Sequence, residues 1–256
     1  MTESIVMIHG MWGGSWCWDN YRAFFEQRGF KCHTPTLRHH DVSPLDTPSA
    51  DLGRVSLRDY VDDLETYLRA MHEPPIIMGH SMGGLLAQML GARGWGKALV
   101  LLTPASPAGI NALTYSVVRS FWSILTKWGF WRTPQRMTFK AASYAMMHRL
   151  SLEQRRREYA RLVFESGRAA AEIGFWLLDR RGATRVDAAA VTCPVLVVGA
   201  AEDRITPVAV TRKIAQKYAH VSTFREMAGH AHWVIGETGW EDVAETVHQW
   251  LAEEAF

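Results

Sequence analysis

The sequence predicts an α/β protein in which about six, mostly parallel β-strands form one sheet with helices on both faces. Short stretches that are apolar throughout, such as residues 76–78 and 195–198, alternate with stretches of helical periodicity. Strands that are apolar on both faces are typical of a parallel sheet covered on both sides. Residues 108–190 break this alternation, are rich in aromatic side chains and look helical. They predict a helical cap inserted into a core of residues 1–107 and 191–256.

The core elements follow from periodicity and from the Gly and Pro residues between them, such as Gly29 and the pair Pro74-Pro75. The predicted strands are residues 4–8, 30–34, 76–78, 97–102, 194–199 and 221–227. The predicted core helices are residues 15–29, 57–71, 85–90, 207–218 and 241–251.

Composition limits the class of protein. The 256 residues are 48% hydrophobic and 21% charged, which indicates a globular chain able to bury a sizeable core. No apolar stretch approaches the ~18–20 residues that span a bilayer, and residues 4–8 are too short for a signal sequence, so we expect a cytoplasmic protein. Cys17, Cys32 and Cys193 are too few and too widely spaced for a disulfide framework or a zinc site.

The stretch Gly79-His80-Ser81-Met82-Gly83 follows an apolar run and precedes a helical pattern. A strand, a sharp turn with Gly-x-Ser-x-Gly and a helix form the context of a nucleophile elbow. Such a turn exposes the serine hydroxyl at the end of a sheet and requires small residues on both sides of it. Ser81 is therefore the candidate nucleophile.

A serine nucleophile needs a base, and the base needs a carboxylate that orients it. Asp203 follows the predicted strand 194–199, where open α/β sheets place functional groups, and Glu202 is the alternative acid. His232 is the preferred base because the apolar pair after it could pack beneath its ring. His230, which follows a glycine directly, is the alternative base.

With these residues in place, the chain resembles the α/β-hydrolase superfamily over nearly its full length. The residues that carry the resemblance are His9-Gly10 with Trp18, the elbow 79–84, Asp203 four residues before Pro207, and His232 before the last helix. The resemblance implies an oxyanion hole made by the backbone N–H groups of Met11 and Met82. The sequence departs from the family pattern at residues 36–41 and at Ala200, where a glycine is usual. It also lacks the N-terminal antiparallel hairpin that is common in the family.

The aromatic cap and the two methionines predict an apolar pocket at Ser81. Its candidate lining residues, besides Met11 and Met82, are Trp12, His80, Trp122, Trp176 and Trp233. Many of these rings could equally form the ordinary contact between cap and core. A pocket of this kind indicates a small-molecule substrate with an apolar or aromatic body.

The predicted cap is basic, because residues 111–185 carry 14 Lys and Arg against 5 Asp and Glu. Ser151 and Gln154 could form a capping box opening a helix in which Tyr159, Leu162, Val163 and Ser166 share a face. The helix arginines, Arg155–Arg157 and Arg161, would ordinarily be exposed to solvent. Alternatively, they could attract an anionic group of the substrate or, less favoured, contact an anionic membrane surface peripherally. Nucleic acid is disfavoured because no binding motif accompanies the charge.

No metal or other cofactor is expected, since neighbouring His39 and His40, with Asp41, could not readily face one ion. The favoured function is a serine hydrolase, most specifically a carboxylesterase acting on a small to medium apolar or aromatic ester through an acyl-enzyme on Ser81. The alternatives are a hydroxynitrile-lyase-like enzyme, a perhydrolase or acyltransferase, and a ligand-binding protein on the same fold. The oligomeric state is left open.

Overall fold

A computed structural model describes residues 2–254, so the outermost ends of the predicted core range lie outside the described residues. Six parallel strands form one sheet in the order β2-β1-β3-β4-β7-β8, which confirms the predicted fold class. The strands are β1 Ser4–Ile8, β2 Lys31–His33, β3 Ile76–His80, β4 Ala98–Leu102, β7 Val195–Ala200 and β8 Ser222–Met227. A small antiparallel pair is formed by β5 Pro134–Gln135 and β6 Glu165–Ser166.

The helices connect these strands and cover the sheet. They are α1 Asp19–Glu26, α2 Leu57–Arg69, α3 Met82–Gly91, α4 Tyr115–Leu125, α5 Phe139–Ala145, α6 Leu152–Arg161, α7 Gly167–Gly174, α8 Val208–Lys217 and α9 Trp240–Glu253. Short 3-10 helices occupy Ser15–Trp18, Ala50–Arg54, Phe130–Arg132 and Ala188–Ala190. The core elements begin and end close to their predicted limits, except that the first helical stretch opens as a 3-10 turn and ends at Glu26.

Alternate residues of each central strand face opposite helical layers, as the two-residue period of a strand requires. In β1, Ile5 and Met7 pack in a buried cluster with α1 and α9. Val6 and Ile8 pack in a second cluster with α2, α3 and α8. Because both faces are covered, the central strands are apolar throughout, and the sequence shows them as uninterrupted apolar runs.

The strand order places a topological switch point between β1 and β3. The chain moves from β1 outward to β2 and then returns to the other side of β1 as β3. Loops that leave the carboxyl ends of β1 and β3 diverge at such a point, and open α/β sheets bind ligands there. Residues 9–14 follow β1 and Ser81 follows β3, so the predicted functional residues meet at this edge.

The segment between β4 and β7 contains α4–α7 and the β5–β6 pair. The predicted capping box forms, since Ser151 and Gln154 each accept a hydrogen bond from the other's backbone N–H. The prediction of a face that includes Leu162, Val163 and Ser166 was wrong, because α6 ends at Arg161. The chain leaves the helix there and becomes extended, so that Val163 N–H donates to Trp12 O at 2.9 Å.

A buried polar cluster joins this segment to the core. Glu165 lies 3.1 Å from His40 Nε2 and accepts a 2.7 Å hydrogen bond from Tyr60 OH. Burial lowers the pKa of His40 and raises that of Glu165, but their mutual attraction and hydrogen bonds outweigh burial in both. The pKa of His40 is therefore raised and that of Glu165 lowered, which indicates an ion pair. His40 thus has a structural role.

Replacing Glu165 with Gln tests this ion pair. Because the pKa of His40 is raised above 6.5, its stabilisation is complete below that pH and is lost as pH rises through the folded pKa. Because the pKa of Glu165 is lowered below 4.5, its contribution is lost only in more acidic solution. We expect Glu165→Gln to cost about 3–5 kcal/mol at pH 5.5 and clearly less at pH 9, measured by urea unfolding.

The matched control is Glu153→Gln, which changes the same side chain at an exposed position of α6. This control should cost under about 0.5 kcal/mol at both pH values. An equal loss for Glu165→Gln at both pH values would contradict the ion pair.

Candidate active site

Ser81 occupies a strained turn between β3 and α3. Its backbone has φ +53° and ψ −118°, a conformation that L-residues rarely adopt. The turn closes only because its neighbours lack side chains. A Cβ on Gly79 would lie 2.2 Å from Gly83 O, and a Cβ on Gly83 would lie 2.1 Å from Ile8 O. The Gly-x-Ser-x-Gly pattern therefore has a direct steric cause.

Hydrogen bonds from two neighbouring segments hold the strained turn. Ser81 N–H donates to Leu102 O at the end of β4, with 3.0 Å between nitrogen and oxygen. Ser81 C=O accepts from the N–H groups of Gly84 and Ala105, each at 2.9 Å. The backbone of Ser81 is thus fixed by β4 and the start of α3, and its side chain projects from the sheet edge.

The structure brings Ser81, His232 and Asp203 into one hydrogen-bonded chain. Ser81 Oγ lies 2.9 Å from His232 Nε2, and His232 Nδ1 lies 2.8 Å from Asp203 Oδ2. A carboxylate can only accept, so His232 Nδ1–H donates to Asp203 and Nε2 is free to accept from the Ser81 hydroxyl. All three residues are buried, with Ser81 8% exposed.

Three further donors surround the Asp203 carboxylate. The N–H groups of Ile205 and Thr206 donate to Oδ1 at 2.7 and 2.9 Å, and the Thr206 hydroxyl donates to Oδ2 at 2.7 Å. Burial raises the pKa of Asp203, but the attraction of His232 and these hydrogen bonds more than offset burial, so the pKa is lowered. Asp203 is therefore held as a carboxylate that faces His232.

His80 and Thr103 position His232 through its backbone. His80 Nε2 lies 2.8 Å from His232 O, and the Thr103 hydroxyl donates to the same carbonyl at 3.3 Å. Burial, with repulsion from His232 second, lowers the pKa of His80 to about 3. His80 is consequently neutral with its proton on Nε2, and the Trp233 ring packs edge-on against it with 5.8 Å between ring centroids.

His9 fixes the loop that carries the second candidate oxyanion donor. Leu37 N–H donates to His9 Nε2 at 3.1 Å, so the proton of this neutral ring lies on Nδ1, which donates to Gly10 O at 2.9 Å. Burial, with repulsion from His40 second, lowers the pKa of His9 to about 3. A trans peptide directs its C=O and N–H oppositely, so this contact turns Met11 N–H away from His9.

The backbone N–H groups of Met11 and Met82 are the candidate oxyanion donors. Among residues 2–254, Met11 N–H donates to no protein acceptor, and Met82 N–H belongs to the first turn of α3, where a helix has no acceptor of its own. Both methionines line the cavity that contains Ser81. The loop with Met11 follows β1, and the helix N-terminus with Met82 follows β3 and Ser81.

The alternative acid and base have other partners. His230 Nδ1 lies 3.0 Å from Glu237 Oε1, which also accepts from Ala231 N–H at 2.7 Å. Glu202 is half exposed and accepts from Arg149 Nη1 at 2.8 Å. Neither residue enters the chain of hydrogen bonds at Ser81. The structure therefore groups His232 and Asp203, rather than their neighbours, with the serine.

A cavity of about 110 Å³ opens beside Ser81 and is lined mostly by apolar side chains. The core contributes Met11 and Met82, whereas α4 contributes residues such as Phe121, and the stretch after α7 contributes Trp176. A few polar groups, among them Ser106 and Thr206, also reach it. An apolar cavity with a small number of polar groups at one end is typical of a small-molecule site.

Four of the predicted pocket residues lie elsewhere. Trp122 is 61% exposed because it points about 100° away from Phe121 around the axis of α4. Trp12 is buried behind the cavity, where its ring packs against Phe121 and its Nε1–H donates to Gln135 O at 3.1 Å. His80 and Trp233 lie beneath His232 and support it rather than line the cavity.

Sequence reasoning missed Thr103 and Thr206, which lie next to His232 and Asp203. Both follow or lie near strand ends at the functional edge, and that position is the signal that could have identified them. Within residues 2–254, no group of three or more His, Cys, Asp or Glu side chains could hold a metal ion. Over the same residues, no helix has the length and apolar character to cross a membrane.

The sequence matches a known protein family and is similar to parts of known proteins. A model of the alpha/beta hydrolase family matches residues 5–246. Methylesterase 17 of Arabidopsis thaliana is 37% identical over 82 residues, and a pyrethroid hydrolase of Sphingobium wenxiniae is 30% identical over 83 residues. These matches cover 31% and 32% of this chain, and each covers 28% of the relative's length.

Similarity of fold extends over the whole chain. The crystal structure of a methylesterase from Arabidopsis superposes with a TM-score of 0.72 at 12% sequence identity. The superposition covers 98% of this chain and 99% of the other. At this identity the likeness shows a common fold.

Replacing Ser81 with Gly should relieve the backbone strain. A left-handed conformation costs an L-residue roughly 1–3 kcal/mol, whereas glycine adopts it freely. We expect Ser81→Gly to be at least as stable as Ser81→Ala, which also lacks the hydroxyl but keeps the Cβ. Urea unfolding of the two variants measures the difference.

The control is Ala87→Gly in the middle of α3, where the backbone is helical and glycine should cost about 1 kcal/mol or more. If Ser81→Gly loses as much stability relative to Ser81→Ala as Ala87→Gly loses relative to wild type, the strained conformation is refuted.

Proposed function

Within the alpha/beta hydrolase family, to which this chain belongs, we propose that the protein is a serine carboxylesterase for small to medium apolar or aromatic esters. The observation that carries the proposal is the hydrogen-bonded chain from Ser81 through His232 to Asp203, opening on an apolar cavity. The names of two similar proteins, a methylesterase and a pyrethroid hydrolase, support hydrolysis as the reaction, and the first supports an ester as the substrate. Residues 108–190 would act as a cap that shapes the substrate site.

The first step is attack of Ser81 Oγ on the acyl carbon of the ester. His232 Nε2 accepts the hydroxyl proton as the new C–O bond forms, which makes the hydroxyl nucleophilic near neutral pH. Asp203 remains ionised and stabilises the imidazolium. The electron pair of the carbonyl moves to its oxygen, and the N–H groups of Met11 and Met82 would bind the resulting oxyanion.

Collapse of this tetrahedral intermediate breaks the bond to the alcohol oxygen. His232 gives its proton to the departing alcohol, and the acyl group remains on Ser81. Water then attacks the acyl carbon while His232 again accepts a proton. The acid is released when His232 returns that proton to Ser81 Oγ. The position of His232 between Ser81 and Asp203 suits it to each of these proton transfers.

The first test is hydrolysis of a series of p-nitrophenyl esters, from acetate to dodecanoate, by wild type and Ser81→Ala. We expect kcat/KM to fall by about 10³-fold or more in the variant, because among residues 2–254 only the Ser81 hydroxyl is hydrogen-bonded to His232 Nε2. Intact mass should show an acyl adduct on wild type alone. Absence of both turnover and adduct across the series would contradict the proposal and favour lyase chemistry or ligand binding.

The second test separates the two neighbouring histidines. His232→Ala removes the group that transfers the proton, so kcat should fall by about 10³–10⁶-fold. His230→Ala is the matched control, since it removes a buried imidazole two residues away that contacts Glu237 instead. We expect its kcat to stay within about tenfold of wild type, even where thermal unfolding shows lost stability. Comparable losses in kcat would refute the assignment of the base.

A further inference from the structure

A second, larger recess adjoins the Ser81 cavity and is lined by residues of the segment 108–190 and by Arg54. This open cleft of about 990 Å³, here called the arginine cleft, includes the side chains of five arginines. They are Arg54, Arg132, Arg168, Arg180 and Arg181. Apolar side chains, among them Trp131 and Leu178, form much of the remaining wall.

The arginine cleft and the Ser81 cavity share a wall. Phe130 and Phe175 line both, and their rings lie with centroids 6.1 Å apart. The two recesses therefore adjoin at this pair of aromatic residues. A ligand with one end in each recess would pass along these rings.

The two acidic side chains in the cleft already accept hydrogen bonds from other groups of the protein. Glu172 accepts from the Ser56 hydroxyl, Leu57 N–H and Arg168, at 2.8–2.9 Å. Asp179 accepts from the N–H groups of Arg181 and Ala183 at 3.0 and 2.6 Å.

Apart from Arg168, the arginines of the cleft have unpaired guanidinium groups in the described part of the chain. Over residues 2–254, no hydrogen bond or ion pair is made by the guanidinium groups of Arg54, Arg132, Arg180 and Arg181. The cleft consequently carries an excess of positive charge, with five arginines against Glu172 and Asp179.

The turn that carries Arg180 and Arg181 is held in place by the core. Arg58 of α2 donates to Arg181 O at 2.6 Å and to Gly182 O at 3.3 Å. Gly182 has φ +60°, which allows the turn at low cost, and Asp179 closes it from the other side. The backbone that presents these two guanidinium groups is thus fixed before any ligand binds.

The arginines of α6 that the sequence singled out differ from the cleft arginines in their contacts. Arg155 donates to Leu150 O and His148 O, Arg157 pairs with Glu158, and Arg161 pairs with Asp19. These three guanidinium groups are engaged in local contacts, whereas that of Arg156 is exposed and makes no hydrogen bond or ion pair within residues 2–254. The anionic-ligand alternative raised for the basic segment therefore applies to the cleft instead of to α6.

We propose that the arginine cleft binds the anionic end, a carboxylate or phosphate, of an ester whose apolar part reaches Ser81 past Phe130 and Phe175. Guanidinium groups bind such oxyanions through paired hydrogen bonds, and the apolar wall accommodates the adjoining alkyl chain. This substrate class rests on the proposed esterase function. The preferred substrate is a charged amphiphile rather than a wholly neutral ester.

A matched pair of substrates tests the proposal. One is the mono-p-nitrophenyl ester of suberic acid, which ends in a carboxylate, and the other is its neutral methyl ester. In Arg180→Gln/Arg181→Gln we expect kcat/KM for the anionic ester to fall at least about tenfold, mainly through KM, as expected for lost charge-assisted hydrogen bonds. The neutral ester should change less than about twofold, and added NaCl should reduce the wild-type preference for the anion.

The control is Arg156→Gln/Arg225→Gln, which removes the same charge from exposed positions outside the cleft. It should leave both substrates within about twofold of wild type. Equal losses in the two double variants would show a general effect of net charge and overturn the proposal. Hydrolysis of both esters with no effect of the cleft substitutions would also overturn it while leaving the esterase function standing.

Binding measured without catalysis separates the two hypotheses. We expect calorimetry to show that Ser81→Ala binds octyl phosphate below its micelle concentration, at least about tenfold more tightly than the same protein with the two cleft substitutions. Such binding, together with no hydrolysis of either ester, would support the cleft and reject the esterase. Sedimentation with phosphatidylglycerol vesicles, without binding of monomeric octyl phosphate, would identify a membrane contact and reject the soluble substrate.

Discussion

The left-handed backbone of Ser81 is the constraint on which the rest of the site depends. It costs roughly 1–3 kcal/mol and persists only because its surroundings leave no alternative. Gly83 packs directly on the carbonyl of Ile8, and Leu102 accepts from Ser81 N–H. The ends of β1, β3 and β4 therefore determine together where the hydroxyl points. A sheet buried on both faces supplies the rigidity that this arrangement needs.

The buried histidines show how environment divides one residue type into separate roles. Within residues 2–254, His9 and His80 form no hydrogen bond with a carboxylate, so burial keeps them neutral, and each donates to a backbone carbonyl. His40 contacts a buried glutamate and joins the segment 108–190 to the core. His232 alone in the described chain combines a carboxylate on one nitrogen with a serine hydroxyl on the other. These two contacts are the basis of the proton-transfer role proposed for it.

The sequence was most informative where a local pattern has a local cause. Apolar runs located the strands, and the glycines around Ser81 located the turn, because both are dictated by neighbouring residues. Distant partners that no motif links were out of reach, as with His40 and Glu165, whereas the family motif connected Ser81 with His232. The directions of side chains in α4 could not be predicted either. Phe121 and Trp122 are adjacent, but successive helical residues point about 100° apart, so Phe121 lines the cavity and Trp122 is exposed.

The segment 108–190 is attached in two physically different ways. On one side, buried polar contacts of Glu165 and Glu172 with α2 and its N-terminal cap fix the position of the segment. On the other, α4 faces the cavity with apolar side chains whose contacts are not directional. Substitutions within α4 can thus reshape the cavity without disturbing Ser81, His232 or Asp203. In the proposed esterase, the sheet edge would carry the chemistry, and the inserted segment would select the substrate through the apolar side chains of α4 and the arginine cleft.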